Sequence, residues 1–181
     1  LTYEVNGQEK VLNTSFKQGA INYISGNSGS GKTTLLKILS GLQKPISGSV
    51  SFPNTETLNS IAYIPQKIGI IEGSVCDNID FFRLKSSPET YNQSLNASGL
   101  DQVFRERDIS LNTIITEGGQ NLSGGQAQRL AISRCLLKDP KVIILDEALS
   151  GIHRRDSRQI LRELLKNKGI FVILTTHDPQ I

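Results

Sequence analysis

The sequence predicts an α/β fold: a mainly parallel sheet, with an N-terminal antiparallel hairpin and a small helical subdomain. Three observations carry it. Strand-length apolar runs alternate with helical patterns, the order that crossover helices impose on parallel strands. A glycine-rich loop, Gly26–Thr33, stands between a strand pattern and a helix pattern. Val142–Leu145 is continuously apolar, as a strand buried on both faces should be.

The elements follow in order. Thr2–Val5 and Val11–Phe16 flank Asn6-Gly7, a tight-turn signal, and read as a hairpin. Ala20–Ser25 is a strand leading into the glycine loop. Leu35, Leu36, Ile38, Leu39 and Leu42 then recur at helical spacing, and Gly41 and Pro45 stand where that helix should stop. Ser60–Ile64 reads as a strand closed by Pro65. Residues from about 75 to 115 are polar without β alternation and read as short helices. Ala127–Leu137 is a helix that opens on glycines and ends before Pro140. Ile160, Leu161, Leu164 and Leu165 mark one face of the next helix, and Gly169 precedes the strand Ile170–Thr175.

Composition narrows the classes. The chain has 181 residues, 37% of them hydrophobic, which suits one domain better than two. The net charge of +3 is short of the excess a dedicated nucleic-acid binder carries. Cys76 and Cys135 are too few and too far apart for a disulfide scaffold or a metal cluster, and suit a reducing compartment. No apolar run in these residues reaches the length of a membrane helix, and the expectation from their pattern is that none of them is a signal peptide. With Leu at position 1 and no methionine, the expectation is a domain excised from a longer reading frame.

Two segments carry chemistry by their residue types. Gly26-Asn27-Ser28-Gly29-Ser30-Gly31-Lys32-Thr33 fits G-x-x-x-x-G-K-[ST], after a strand and before a helix. Glycines let the backbone wrap an anion, and loop amides and the helix N-terminus supply partial positive charge. Lys32 adds a full charge for β/γ-phosphates, and the Thr33 hydroxyl suits Mg²⁺, a hard ion that prefers oxygen. This makes the fold class that of a P-loop NTPase. Asp146-Glu147 closes the apolar strand, where ligands of parallel sheets bind. Asp146 is placed to hold Mg²⁺ through water, and Glu147 to polarise a water for attack on a γ-phosphate. A third segment, Ser123-Gly124-Gly125-Gln126, is another helix start with small residues and a hydroxyl. On physical grounds alone it reads equally as a simple N-cap at Ser123.

Leu122–Gln126, followed by Gln128-Arg129, Asp139-Pro140 and Asp146-Glu147, resembles the ABC ATPase signature in order and spacing. The chain is similar to the nucleotide-binding domain of an ABC transporter over nearly all its length. The resemblance implies a single ABC ATPase domain over 1–181, with a helical subdomain over about 75–125 bearing the signature, and with the family's C-terminal edge missing. It implies ATP and Mg²⁺ as cofactors. The nucleotide would contact Asn27, Ser28, Gly29, Ser30, Gly31, Lys32, Thr33 and Thr34 of one copy, and Ser123, Gly124, Gly125 and Gln126 of another. Gln66 falls on the family's Q-loop glutamine, a metal and catalytic position, and His177 on its switch histidine. The catalytic set is then Glu147, His177 and Gln66, and the metal set Thr33, Gln66 and Asp146.

The adenine-stacking aromatic of the family falls near Val5, and Tyr3 on the same strand face is its candidate. Ser150 begins the D-loop, where His153 stands at the usual Asp. Leu149 and Gly151 also differ there from the usual residues. Glu117 and Glu72–Ile79 look exporter-like. The implied partners are a second ABC domain, as a homodimer or a paired half, and a transmembrane domain in the same or another chain. The implied function is ATP hydrolysis powering export, at the cytoplasmic face of the membrane, with no nucleic acid expected. The alternative is a soluble ABC ATPase acting on ribosomes or DNA. The short span between Lys32 and Gly124, without heptads, is unlike the coiled-coil arms of chromosome-maintenance members.

Overall fold

The computed structural model describes residues 1–53, 60–81, 86–107, 109–166 and 169–177. Four strands, β3 (Ile21–Ile24), β4 (Ile61–Ile64), β7 (Val142–Asp146) and β8 (Phe171–Thr175), form a parallel sheet in the order β3-β8-β7-β4. All five residues of β7 and of β8 are buried, which explains their uninterrupted apolar reading. Helix α1 (Lys32–Leu39) packs Leu36, Ile38 and Leu39 on one face of the sheet with Ile144 and Ile173. Helix α6 (Arg154–Leu165) places Ile160, Leu161 and Leu164 in the cluster on the other face with Ile143 and Val172.

The N-terminal hairpin pairs β1 (Thr2–Val5) with β2 (Gln8–Val11). The second strand is therefore Gln8–Val11, and the expected Val11–Phe16 is a correction. Asn6 at φ 53 and Gly7 at φ 76 make a two-residue turn, which sets Val5 opposite Gln8 and exhausts the pairing at Thr2 opposite Val11. Leu42 also departs from expectation. Gly41, at φ 76, ends the helix, and Leu42 lies beyond it, 66% exposed.

The stretch expected to be helical holds α2 (Val75–Ile79), α3 (Pro88–Ser98) and α4 (Leu100–Arg107). They pack Val75, Ile79, Leu95 and Leu100 against Leu130 and Leu137 of the signature-helix region. Helix α5 runs Gly124–Leu136, starting three residues before the expected Ala127. Two short strands were not foreseen: β5 (Gly73–Ser74) pairs antiparallel with β6 (Ile114–Ile115). Asp178 and Ile181 lie outside the described residues. Cys76 and Cys135 are both free thiols, and burial pushes the Cys135 thiol up to about 11.

Candidate functional site

Because β3, β4, β7 and β8 are parallel, their carboxyl ends lie at one edge of the sheet. The segments after them are the glycine loop, Gln66, Asp146-Glu147 and His177. Three of these meet directly. Glu147 Oε2 accepts from Gln66 Nε2 at 2.8 Å, and Glu147 Oε1 lies 2.7 Å from His177 Nε2. Glu147 itself has φ 53, a left-handed backbone that non-glycine residues rarely adopt. Its amide donates to Thr175 Oγ1 at 3.1 Å, which holds that turn.

Asp146 is buried, 3% exposed, and each oxygen has a hydroxyl donor. Tyr63 donates to Oδ2 and Thr175 to Oδ1, each at 3.0 Å. These donors satisfy the two oxygens that burial takes away from water. The Tyr63 phenol shifts upward in turn, first through burial and then through the charge and hydrogen bond of Asp146.

The glycine loop is built for close approach. Gly26, Gly29 and Gly31 have φ 156, 74 and 93. A side chain at Gly31 would collide with Val5 of β1. Lys10 Nζ of β2 donates to Ser30 O at 2.6 Å, tying the hairpin to the loop. Lys32 Nζ donates to Gly26 O at 2.8 Å and Asn27 O at 3.0 Å, so the ammonium lies across the loop it belongs to. Helix α1 has no side-chain cap and no acid in its first turn. Among the described residues, its leading amides and dipole therefore meet no capping side chain and no acid of the first turn. Thr33 is exposed in that turn, and Thr34 follows it half-buried.

The start of α5 differs. Ser123 Oγ accepts from Gln126 N at 3.2 Å, and Gln126 Oε1 accepts from Ser123 N at 2.7 Å. This reciprocal capping box fixes the helix start. Ser123 and Gly124 are nevertheless exposed. Gly125 packs so closely on the loop after β7 that a Cβ there would lie 2.5 Å from Gly151 O. Gln128 holds that loop too, donating to Ser150 Oγ at 3.2 Å and accepting from Gly151 N at 2.8 Å. His153 caps α6, its Nδ1 accepting from Arg155 N at 3.4 Å. Among the described residues no hydrogen bond joins Ser123–Gln126 to the loop Gly26–Thr34.

Tyr3 is the site candidate that the structure does not bring out. It is 7% exposed and packs with Leu35, Leu36 and Leu39, leaving its ring no open face for a base. Sequence reasoning missed Tyr63, Thr175 and Lys10, and it named Gln128 only as part of the signature stretch, without its hold on Ser150 and Gly151. Tyr63 stood three residues before Gln66 in a stretch already singled out. Thr175 becomes visible only through the β7–β8 register, which sets it opposite Asp146.

A glycine loop with an uncapped helix start, on the sheet edge that also carries a strand-end Asp-Glu pair whose glutamate meets a glutamine and a histidine, defines a P-loop ATPase. Residues 10–150 match the family model described as ABC transporter. The chain belongs to the ABC transporter family, as its ATPase domain. It is 32% identical to a putative export ATP-binding/permease protein of Rickettsia typhi, covering 97% of this chain and 33% of that protein. It is 35% identical to the lactococcin-G-processing and transport ATP-binding protein of Lactococcus lactis subsp. lactis, covering 86% of this chain and 24% of that one. Its fold superposes on a bacterial Atm1-family ABC exporter with ATP bound at TM-score 0.84 and 24% identity, over 97% of this chain and 33% of that one. The chain thus spans about a third or less of the length of these relatives. No helix among the described residues is long and apolar enough to cross a membrane.

Proposed function

We propose that this chain binds and hydrolyses Mg-ATP and powers export through a transmembrane domain at the cytoplasmic face of the membrane. The observation that carries the reading is the Glu147 carboxylate, held between Gln66 and His177 on the sheet edge from which the glycine loop also emerges. Asn27–Thr34 wrap the triphosphate, and Lys32 leaves its loop carbonyls to meet the β/γ-phosphates. Glu147 accepts a proton from the attacking water. His177 orients Glu147 and contacts the γ-phosphate, and Gln66 sets the second carboxylate oxygen.

The donor set fits Mg²⁺. The Thr33 hydroxyl, the Gln66 side-chain carbonyl and the Asp146 carboxylate are all oxygens, and Gln66 uses its nitrogen on Glu147. The ion, when bound, neutralises charge on the β- and γ-phosphates. Ser123–Gln126 then serve the ATP of a second ABC domain, arranged head-to-tail. The uncapped α1 start takes the triphosphate from one side, and the exposed Ser123-Gly124 from the other. Export is favoured over a role on ribosomes or DNA by the names of the relatives, one a putative export ATP-binding/permease protein and another a processing and transport ATP-binding protein.

Lys32→Ala tests the reading. It removes the loop's only full charge on the phosphates, so ATP affinity should fall by about tenfold or more. Titration with a fluorescent ATP analogue reads it, and unchanged affinity overturns the assignment.

A further inference from the structure

Gln66 reaches Glu147 from an irregular segment, and something must fix that segment. Beyond Gln66 the chain passes through Gly69, Ile70 and Ile71 before β5 and α2. Two side chains grip it. Asn78 of α2, fully buried, accepts from Ile71 N at 3.0 Å and donates to Ile71 O at 2.9 Å and Ser74 O at 3.1 Å. Arg134 of α5 donates through Nε to Asn78 O at 2.7 Å and through a terminal nitrogen to Gly69 O at 2.9 Å. Its other terminal nitrogen lies 3.4 Å from Asn78 Oδ1, and its guanidinium sits 5.2 Å over the Phe81 ring.

These contacts use the forked geometry of Arg, which a point-charge Lys cannot reproduce. Burial pushes the Arg134 guanidinium down from its ordinary value, so the site is costly for a cation that finds no acceptors. A surface arginine has no need of such a setting. The acceptors also matter for where they lie. Arg134 sits near the C-terminal end of the helix that begins at Ser123-Gly124, and its acceptors lie on the segment that leads back to Gln66.

We infer that Arg134, with Asn78, is a positioning latch that holds segment 66–71 against α5 and so sets the Gln66 amide on Glu147. Arg134 acts through Gln66 and touches no nucleotide. The inference rests on the hydrolytic reading above.

The test is a double-mutant cycle on the purified protein, with steady-state phosphate release as readout. Wild type against Glu147→Gln first establishes whether the hydrolytic reading stands. Arg134→Lys should then lower kcat about tenfold while KM changes by less than about twofold. In a Gln66→Ala background the same substitution should lower kcat no further, because the residue it positions is gone. Equal losses in both backgrounds, or no loss in either, overturn the latch. Phe81→Leu keeps the fold safe, since the ring is already half exposed, and should lower kcat in the same sense by about twofold. Hydrogen exchange gives a readout that needs no activity. Amides of residues 66–71 should exchange faster in Arg134→Lys while those of α3 and α4 do not change, and unaltered exchange at 66–71 overturns the inference even if hydrolysis is absent.

Discussion

Glu147 is held in an uncommon backbone conformation, with both carboxylate oxygens engaged by side chains from different strand ends. That arrangement spends conformational strain on orientation, which is what a proton acceptor for an attacking water needs. In the proposed reading Glu147 is the proton acceptor, and Glu147→Gln keeps the shape and loses that function. Turnover should fall by about 100-fold or more while ATP affinity changes by less than about twofold. Phosphate release and analogue titration on the same variant check both halves.

Tyr63 gives the residue scale a pH prediction. Its phenol is raised above the ordinary value of about 10, so its contribution to stability is fully present below pH about 10 and is lost only as pH rises through the folded value. Tyr63→Phe should therefore cost about 1–2 kcal/mol, equally at pH 7 and pH 9, because the phenol–carboxylate bond to Asp146 is intact at both. Urea unfolding at the two pH values measures it, and a cost that disappears at pH 9 counts against the account.

At the scale of elements, the signature helix and the loop after β7 behave as one piece. Gly125 has no room for a Cβ against Gly151 O, and Gln128 bonds both Ser150 and Gly151. Gly125→Ala should push the helix start off that loop, costing about 1–3 kcal/mol. Gly124→Ala meets nothing within 4 Å and should cost under about 1 kcal/mol, although it is the next residue along. Thermal melts of the pair separate packing from glycine content.

The same elements show what was legible in the sequence. Strand β7 and helices α1 and α6 were readable because burial writes itself as continuous or periodic apolarity, and α5 because glycines and Pro140 bracket it. Their order placed the glycine loop, Asp146-Glu147 and His177 in chemical context. The end of β2 was not readable, because the Asn6-Gly7 turn sets where pairing stops, and Val11–Phe16 is apolar enough to mislead. Strands β5 and β6, with two residues each, carry no period at all. Tyr3 was placed by alternation on a strand face, but alternation cannot say that this face is closed by α1. Thr175 and Tyr63 escaped because a carboxylate's hydrogen-bond donors are set by register between strands distant in sequence.

For the whole molecule, the proposed reading turns on whether the starts of α1 and α5 serve one ATP from the same chain or from two. The uncapped α1 start and the exposed Ser123-Gly124 start share no hydrogen bond among the described residues, and a head-to-tail pair lets both meet one triphosphate. In the head-to-tail pair proposed above, Ser123→Arg places a long side chain where the neighbour's γ-phosphate would approach. It should block turnover while leaving ATP binding by each copy intact. Lys32→Ala spoils the same composite site from the other side. A mixed pair, one copy carrying each substitution, has one site with both defects and one with neither. Phosphate release should therefore reappear on mixing two inactive variants, up to about half of the wild-type rate per pair if the sites fire independently, and less if they are coupled. If both motifs served the same chain's ATP, every site in the mixture would carry a defect, and mixing would restore nothing. Obligate coupling is read separately by mixing wild type with Lys32→Ala: independent sites lose activity in proportion to the mutant fraction, and coupled sites retain only the square of the wild-type fraction. Restored activity in the first mixture establishes that the signature acts on the neighbour's nucleotide. Its absence, together with a proportional loss in the second, places both motifs on one chain's own ATP.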